Sequence, residues 1–144
     1  MRVMVIVKGD DATEGGSIPP EEMQKMFTEM GKFNEELVNA GIMKAAEGLQ
    51  PSSKGKRILF DGPRRTVVDG PFAEAKELIA GYWLWEVKDM DEAVEWAKRC
   101  PNPTGVQGQL EIRPIGELDD LGEAFTPELR EQERQLRARM EGQQ

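Results

Sequence analysis

At 144 residues the chain has the length of one domain that can bury a core of its own. Its formal net charge of −8 argues against a nucleic-acid partner held through phosphate contacts. Histidine is absent, which removes Ser-His-Asp and Cys-His nucleophile activation, His-ligated metal and imidazole acid–base work together, leaving carboxylate, lysine, tyrosine, thiol or backbone chemistry and neither a metal nor a cofactor to expect.

The chain opens Met1-Arg2-Val3-Met4-Val5-Ile6-Val7-Lys8, an apolar run too short for a signal segment or a membrane span. That opening predicts a cytoplasmic protein with no membrane partner. Val3 to Val7 reads as a strand covered on both faces. A Gly- and Asp-rich loop from Gly9 to Ser17 follows, and its Gly15-Gly16 lacks the lysine and spacing of a phosphate loop. Pro20 suits a first helical position, with Glu21 and Glu22 in the turn where the helix dipole favours anions. Met23, Met26, Phe27, Met30, Phe33, Leu37 and Val38 recur at helical spacing as a core stripe, and Gly41 supplies a left-handed stop.

Ile42 to Leu49 is a second strand, broken by Pro51-Ser52-Ser53-Lys54-Gly55. Arg57–Phe60 and Arg65–Val68 flank Asp61-Gly62-Pro63-Arg64 as a hairpin. Gly81 to Val87 is the strongest strand, apolar or aromatic on both faces. Asp89 caps a second helix, Glu92 sits where it completes a capping box, and Ala93, Val94, Ala97 and Cys100 form the inner stripe that Pro101 ends. Cys100 is the one cysteine, so it has no internal disulfide partner, and its position reads as a small buried hydrophobe. Gln109 to Ile115 is the last strand, with Leu110 and Ile112 inward against Glu111 and Arg113. Residues 116–144 form a helical extension that starts at Thr126-Pro127. Leu129, Leu136 and Met140 lie on one weak stripe of it, and Arg130, Arg134, Arg137 and Arg139 give it a mixed surface. It is expected either to lie against a partner or to fray.

The element order is strand–helix–strand, hairpin, strand–helix–strand. It predicts an α+β domain over residues 1–115, a ferredoxin-like antiparallel sheet with helices on one face. The other face still carries aromatic and aliphatic side chains, where a sheet covered on one side should alternate apolar with polar. A second copy of the chain is the economical cover, so a homodimer is expected.

One motif stands out. Val67-Val68 runs into Asp69-Gly70-Pro71-Phe72-Ala73-Glu74-Ala75-Lys76-Glu77. Gly70 would permit a positive φ at a sharp exit, Pro71 would fix the next residue, and Phe72 would plug the core. Asp69 would accept backbone N–H bonds across the turn. A stiff corner with no other duty fits the same residues.

That stretch resembles the signature of the YCII-related family, in particular its DGPF branch. The resemblance extends over about residues 1–115, including Pro20-Glu21-Glu22-Met23, Glu47-Gly48-Leu49-Gln50-Pro51, Gly81-Tyr82, Asp91-Glu92-Ala93, Arg99-Cys100-Pro101 and Glu111-Ile112-Arg113-Pro114. Asp61-Gly62-Pro63 lacks the phenylalanine and is no second copy. The resemblance implies a dimeric α+β barrel in which two ferredoxin-like sheets face each other. Some relatives carry a His–Asp pair linked to suspected enzymatic activity, which a chain without histidine cannot have. Ala75 stands where the branch usually has threonine. Relatives are often encoded near extracytoplasmic-function sigma factors, and for most of the family no function is known.

If Leu110 and Ile112 meet the helices, Glu111 and Arg113 point between protomers, where charges need partners. Glu47 is a further candidate carboxylate. The leading reading is a homodimeric small-molecule-binding protein, regulatory in setting, with a polar pocket around Asp69, Phe72, Glu74, Lys76, Glu111 and Arg113. A second is an isomerase or lyase acting on a small metabolite. There Asp69 or Glu74 would be the base, and Lys76 or Arg113 would neutralise developing charge. A third is a protein-interaction module.

Overall fold

The apolar opening folds as β1 (Arg2–Lys8) of a computed structural model that describes residues 1–10, 13–16, 18–74, 77–102 and 108–143. Val3 and Val5 are fully buried on one side of this strand and Ile6 is only 8% exposed on the other, the mark of a central strand. The elements that follow are α1 (Pro20–Asn39), β2 (Met43–Gly48), β3 (Lys56–Asp61), β4 (Arg64–Asp69), β5 (Ile79–Glu86), α2 (Met90–Lys98) and β6 (Leu110–Pro114). Four strands form one sheet in the order β2-β5-β1-β6 with every neighbouring pair antiparallel. This is the ferredoxin-like order with the hairpin β3–β4 inserted as a separate two-stranded sheet. The expected α+β class and antiparallel sheet therefore hold.

Register sorts the side chains onto two faces. Val3, Val5, Val7, Trp83, Trp85, Leu110 and Ile112 share the first face, where they meet Phe33 and Leu37 of α1 and Ala93 of α2. The aromatic centre is edge-on: the rings of Phe33 and Trp83 lie 6.0 Å apart at 85°, and Phe33 and Trp85 lie 6.3 Å apart at 67°. Trp83 Nε1 donates to Asn34 Oδ1 at 2.9 Å, whereas the buried Trp85 Nε1 makes no hydrogen bond. On the second face the pairings give two rows across the sheet, Glu111–Ile6–Tyr82–Glu47 and Arg113–Met4–Leu84–Ala45. Glu111 and Arg113 thus occupy the face away from the helices, as the alternation of the last strand predicts.

The α1 stripe is core over half its length. Phe33 and Leu37 are buried and Met30 packs on the core, but Met23 and Val38 are exposed and Phe27 is 67% exposed. Periodicity locates a face of a helix, and how far the sheet extends beneath it decides burial. Gly41 ends this segment with φ 73°, the left-handed stop expected. At α2, Asp89 accepts from Glu92 N at 2.9 Å, while the Glu92 carboxylate accepts from Lys88 N at 3.0 Å, one residue beyond the Asp89 N of the expected capping box.

Contacts divide the chain into two units, Met1–Pro114 and Ile115–Gln144. In the second, the short turn Leu118–Leu121 is braced by Asp120, whose Oδ2 accepts from Glu117 N at 2.7 Å. Helix α3 (Pro127–Gly142) starts where Thr126 Oγ1 accepts from Leu129 N at 3.3 Å, and Arg130 pairs with Asp119 at 2.9 Å. It is a full helix rather than a frayed one, and Leu129, Leu136 and Met140 are exposed along it. Among the described residues no helix is long and apolar enough to cross a membrane.

Candidate functional site

The corner after β4 is built on a backbone approach too close for any side chain. A Cβ on Gly70 would lie 1.8 Å from the Ser52 carbonyl oxygen and 2.7 Å from its carbon. Gly70 does not take the expected positive φ; lack of space explains the glycine, and the Gly70–Pro71 peptide is cis. Gly70 N donates to Gly55 O at 3.0 Å and Gly55 N to Ser52 O at 2.9 Å, which ties the corner to the turn Ser52–Lys54.

Ser52 is the hub. Its backbone N–H donates to Glu14 Oε2 at 2.7 Å, its hydroxyl donates to Glu14 Oε1, and its oxygen accepts from Phe72 N at 3.1 Å. One carboxylate from the loop after β1 therefore fixes the serine that fixes the corner. Phe72 is half-buried rather than a core plug. The Arg57 guanidinium stacks 3.9 Å from its ring centroid and pairs with Glu77 at 3.0 Å.

These residues line an open cleft of about 560 Å³, whose apolar wall is Leu49, Pro51, Leu78 and Ile79. Its charged groups among the described residues are Glu14, Lys54, Arg57 and Glu77. Both acids are paired, Glu14 with Ser52 and Glu77 with Arg57. Lys54, exposed at the rim, has no ion-pair partner among the described residues. The arrangement suits a small ligand with an anionic end toward Lys54 and Arg57 and an apolar body against Leu78 and Ile79.

Of the sequence candidates the cleft takes Phe72. Asp69 is exposed and salt-bridged to Lys56 across the hairpin, where the sequence suggests a turn-capping acceptor. Glu74 is exposed, its carbonyl accepting from Glu77 N at 2.9 Å. Lys76, and Ala75 beside it, lie outside the described residues. Glu111 and Arg113 sit on β6, at the opposite edge of the sheet from β2, and do not line the cleft. Glu47, exposed, ends the same cross-sheet row as Glu111. The residues missed by sequence reasoning are Glu14, Ser52, Lys54, Arg57 and Glu77. Glu14 reads as loop and Ser52 as strand-breaker because their meeting, 38 positions apart, leaves no local signal.

Cys100 is half-buried, with its thiol against Pro101 O at 3.2 Å, and burial pushes its pKa up from 9.0 to about 11. It is therefore a thiol at neutral pH, as the sequence suggests, and a poor nucleophile.

The family model of the YCII-related domain matches residues 1–119. An uncharacterised protein of Rhizobium meliloti (strain 1021) is 28% identical over 95 residues, which covers 66% of this chain and 77% of the relative. The chain belongs to the YCII-related domain family.

Proposed function

Starting from that membership, we propose that the protein is a cytoplasmic homodimer of the family's DGPF branch that binds a small organic acid in the cleft beside Phe72. The observation that carries the binding role is the Arg57 guanidinium stacked on the Phe72 ring, with Lys54, which has no ion-pair partner among the described residues, in the same lining. An aromatic-backed guanidinium presents its remaining donors to a carboxylate while the ring shields them from water. Asp69 and Glu74 are exposed and outside this cleft, so no geometry supports the acid–base enzyme in which they act on substrate.

The dimer rests on the second face of the sheet. Both helices of the first unit pack on the first face, while the second carries Met4, Ile6, Leu84 and Tyr82 edged by Glu47, Glu111 and Arg113. The hairpin adds Ile58, Phe60 and Val67 on one of its own faces, and Phe60 is 72% exposed. The exposed apolar groups of the hairpin, together with the half-buried Met4, Tyr82 and Leu84 of the sheet, favour a second copy over solvent.

Thermal melts with benzoate and short aliphatic carboxylates at millimolar concentration test the binding role. A rise in Tm that Arg57→Met and Lys54→Met each remove is the expected result. No rise with any of these acids, or a rise that both variants keep, contradicts the proposal.

A further inference from the structure

A second pocket lies on the other side of the sheet end, and it shares no lining residue with the corner cleft. Its origin is a row of missing side chains. On the face that meets α1, register places Leu110, Val7, Gly81 and Gly48 side by side, so the row ends in two glycines. Above them α1 passes with Met26, Phe27, Met30 and Asn34, and a space of about 380 Å³ remains, walled on the inner side by Trp83 and Val7. The size is within the range of small-molecule sites.

The two glycines have different reasons to be there. A Cβ on Gly81 would come within 2.8 Å of the Glu47 carbonyl oxygen, so close strand contact excludes one. A Cβ on Gly48 would meet nothing within 4 Å, and its φ is not positive. Neither backbone nor neighbour requires glycine at position 48, where a side chain on this face would take up space in the pocket. Phe27 also gains a role. Its 67% exposure is wasteful for a core stripe but suits the mouth of a pocket it lines.

We infer that this pocket binds a small, neutral, flat molecule of one or two aromatic rings carrying a hydrogen-bond acceptor. Two methionines, a phenylalanine and a tryptophan give soft, polarisable walls suited to a flat ring system. Asn34 Oδ1 is taken by the Trp83 indole N–H, which fixes the amide orientation and leaves its Nδ2 protons as donors for an acceptor on the ligand. Among the described residues the one charged member of the lining is Glu47, and register directs its side chain to the opposite face, so these walls offer a charged ligand no counter-ion.

The test is a ¹H–¹⁵N titration of the full chain with coumarin, indole and acetophenone as probes. At least one should shift the Trp83 indole N–H and the Asn34 side-chain amide with saturation below a few millimolar, and benzoate should leave both in place. Gly48→Val should weaken that probe tenfold or more while the remaining spectrum and the unfolding midpoint stay native. If valine disturbs the spectrum throughout, Gly48→Ala replaces it, with a several-fold loss expected. Failure of all three probes to move Trp83, or equal affinity in the folded glycine variant, overturns the inference. The readout is independent of the corner cleft, since benzoate and Arg57→Met report on that site alone.

Discussion

Gly70 and Gly48 show how two glycines in one chain answer to opposite constraints. The first faces the Ser52 carbonyl at a distance no Cβ tolerates, and the second faces open space. Gly70→Ala is expected to cost about 1–3 kcal/mol or more, since the corner must move away from Ser52. Gly48→Ala should leave the denaturant midpoint nearly unchanged, and equal losses in the two would contradict this account. Phe72→Ala should cost about 1–2 kcal/mol, below the ~3–5 of a fully buried ring, because the side chain is half-buried and loses chiefly its stack with Arg57. The sequence marks Asp69-Gly70-Pro71-Phe72 as a corner, but the expected positive φ and core plug belong to a generic turn. Contact with Ser52, eighteen positions earlier than Gly70, sets the real geometry. Cys100 adds a pH signature. Its pKa is raised from 9.0 to about 11, so the folded state holds the thiol proton more tightly than the unfolded state. Its contribution is therefore complete below pH 9 and is lost as pH rises toward 11. Unfolding midpoints between those limits should fall further in the native chain than in Cys100→Ala, and parallel curves would argue against burial of the thiol.

At the scale of elements, hydrophobic period and capping chemistry locate the strands and helices well. Asp89 caps α2 as its sequence predicts, and Asp89→Ala should lower stability by about 1 kcal/mol in chemical unfolding. Gly31 lies inside α1 with nothing within 4 Å of its missing Cβ, so Gly31→Ala should raise stability by about 0.5–1 kcal/mol. A loss there would mean that the helix face at Gly31 is covered. What the pattern cannot convey is the reach of one element over another. Met23, Phe27 and Phe33 obey one period, yet burial begins only where the sheet lies beneath, and the same overhang opens the pocket above Gly48. The hairpin was legible from its turn residues, though its exposed Ile58, Phe60 and Val67 read as ordinary strand interior until the two-stranded sheet is seen standing apart.

For the molecule as a whole, the sheet order joins both readings. A ferredoxin-like sheet with both helices of its unit on one face puts the rows Glu111–Ile6–Tyr82–Glu47 and Arg113–Met4–Leu84–Ala45 on the other, the face that meets the partner in the proposed dimer. The alternation of β6 makes this face visible in the sequence, because Leu110 and Ile112 could join the core only by sending Glu111 and Arg113 to the far side. Charges on such a face need compensation across the interface, so Arg113→Glu should weaken association without lowering the stability of the isolated fold. Self-association through that face is tested most directly by the mass of the protein in solution. Light scattering behind gel filtration at micromolar concentration should give about twice the 16.2 kDa chain mass, with Leu84→Asp shifting the species toward one chain. A native protein that elutes at the mass of a single chain at that concentration would contradict the account.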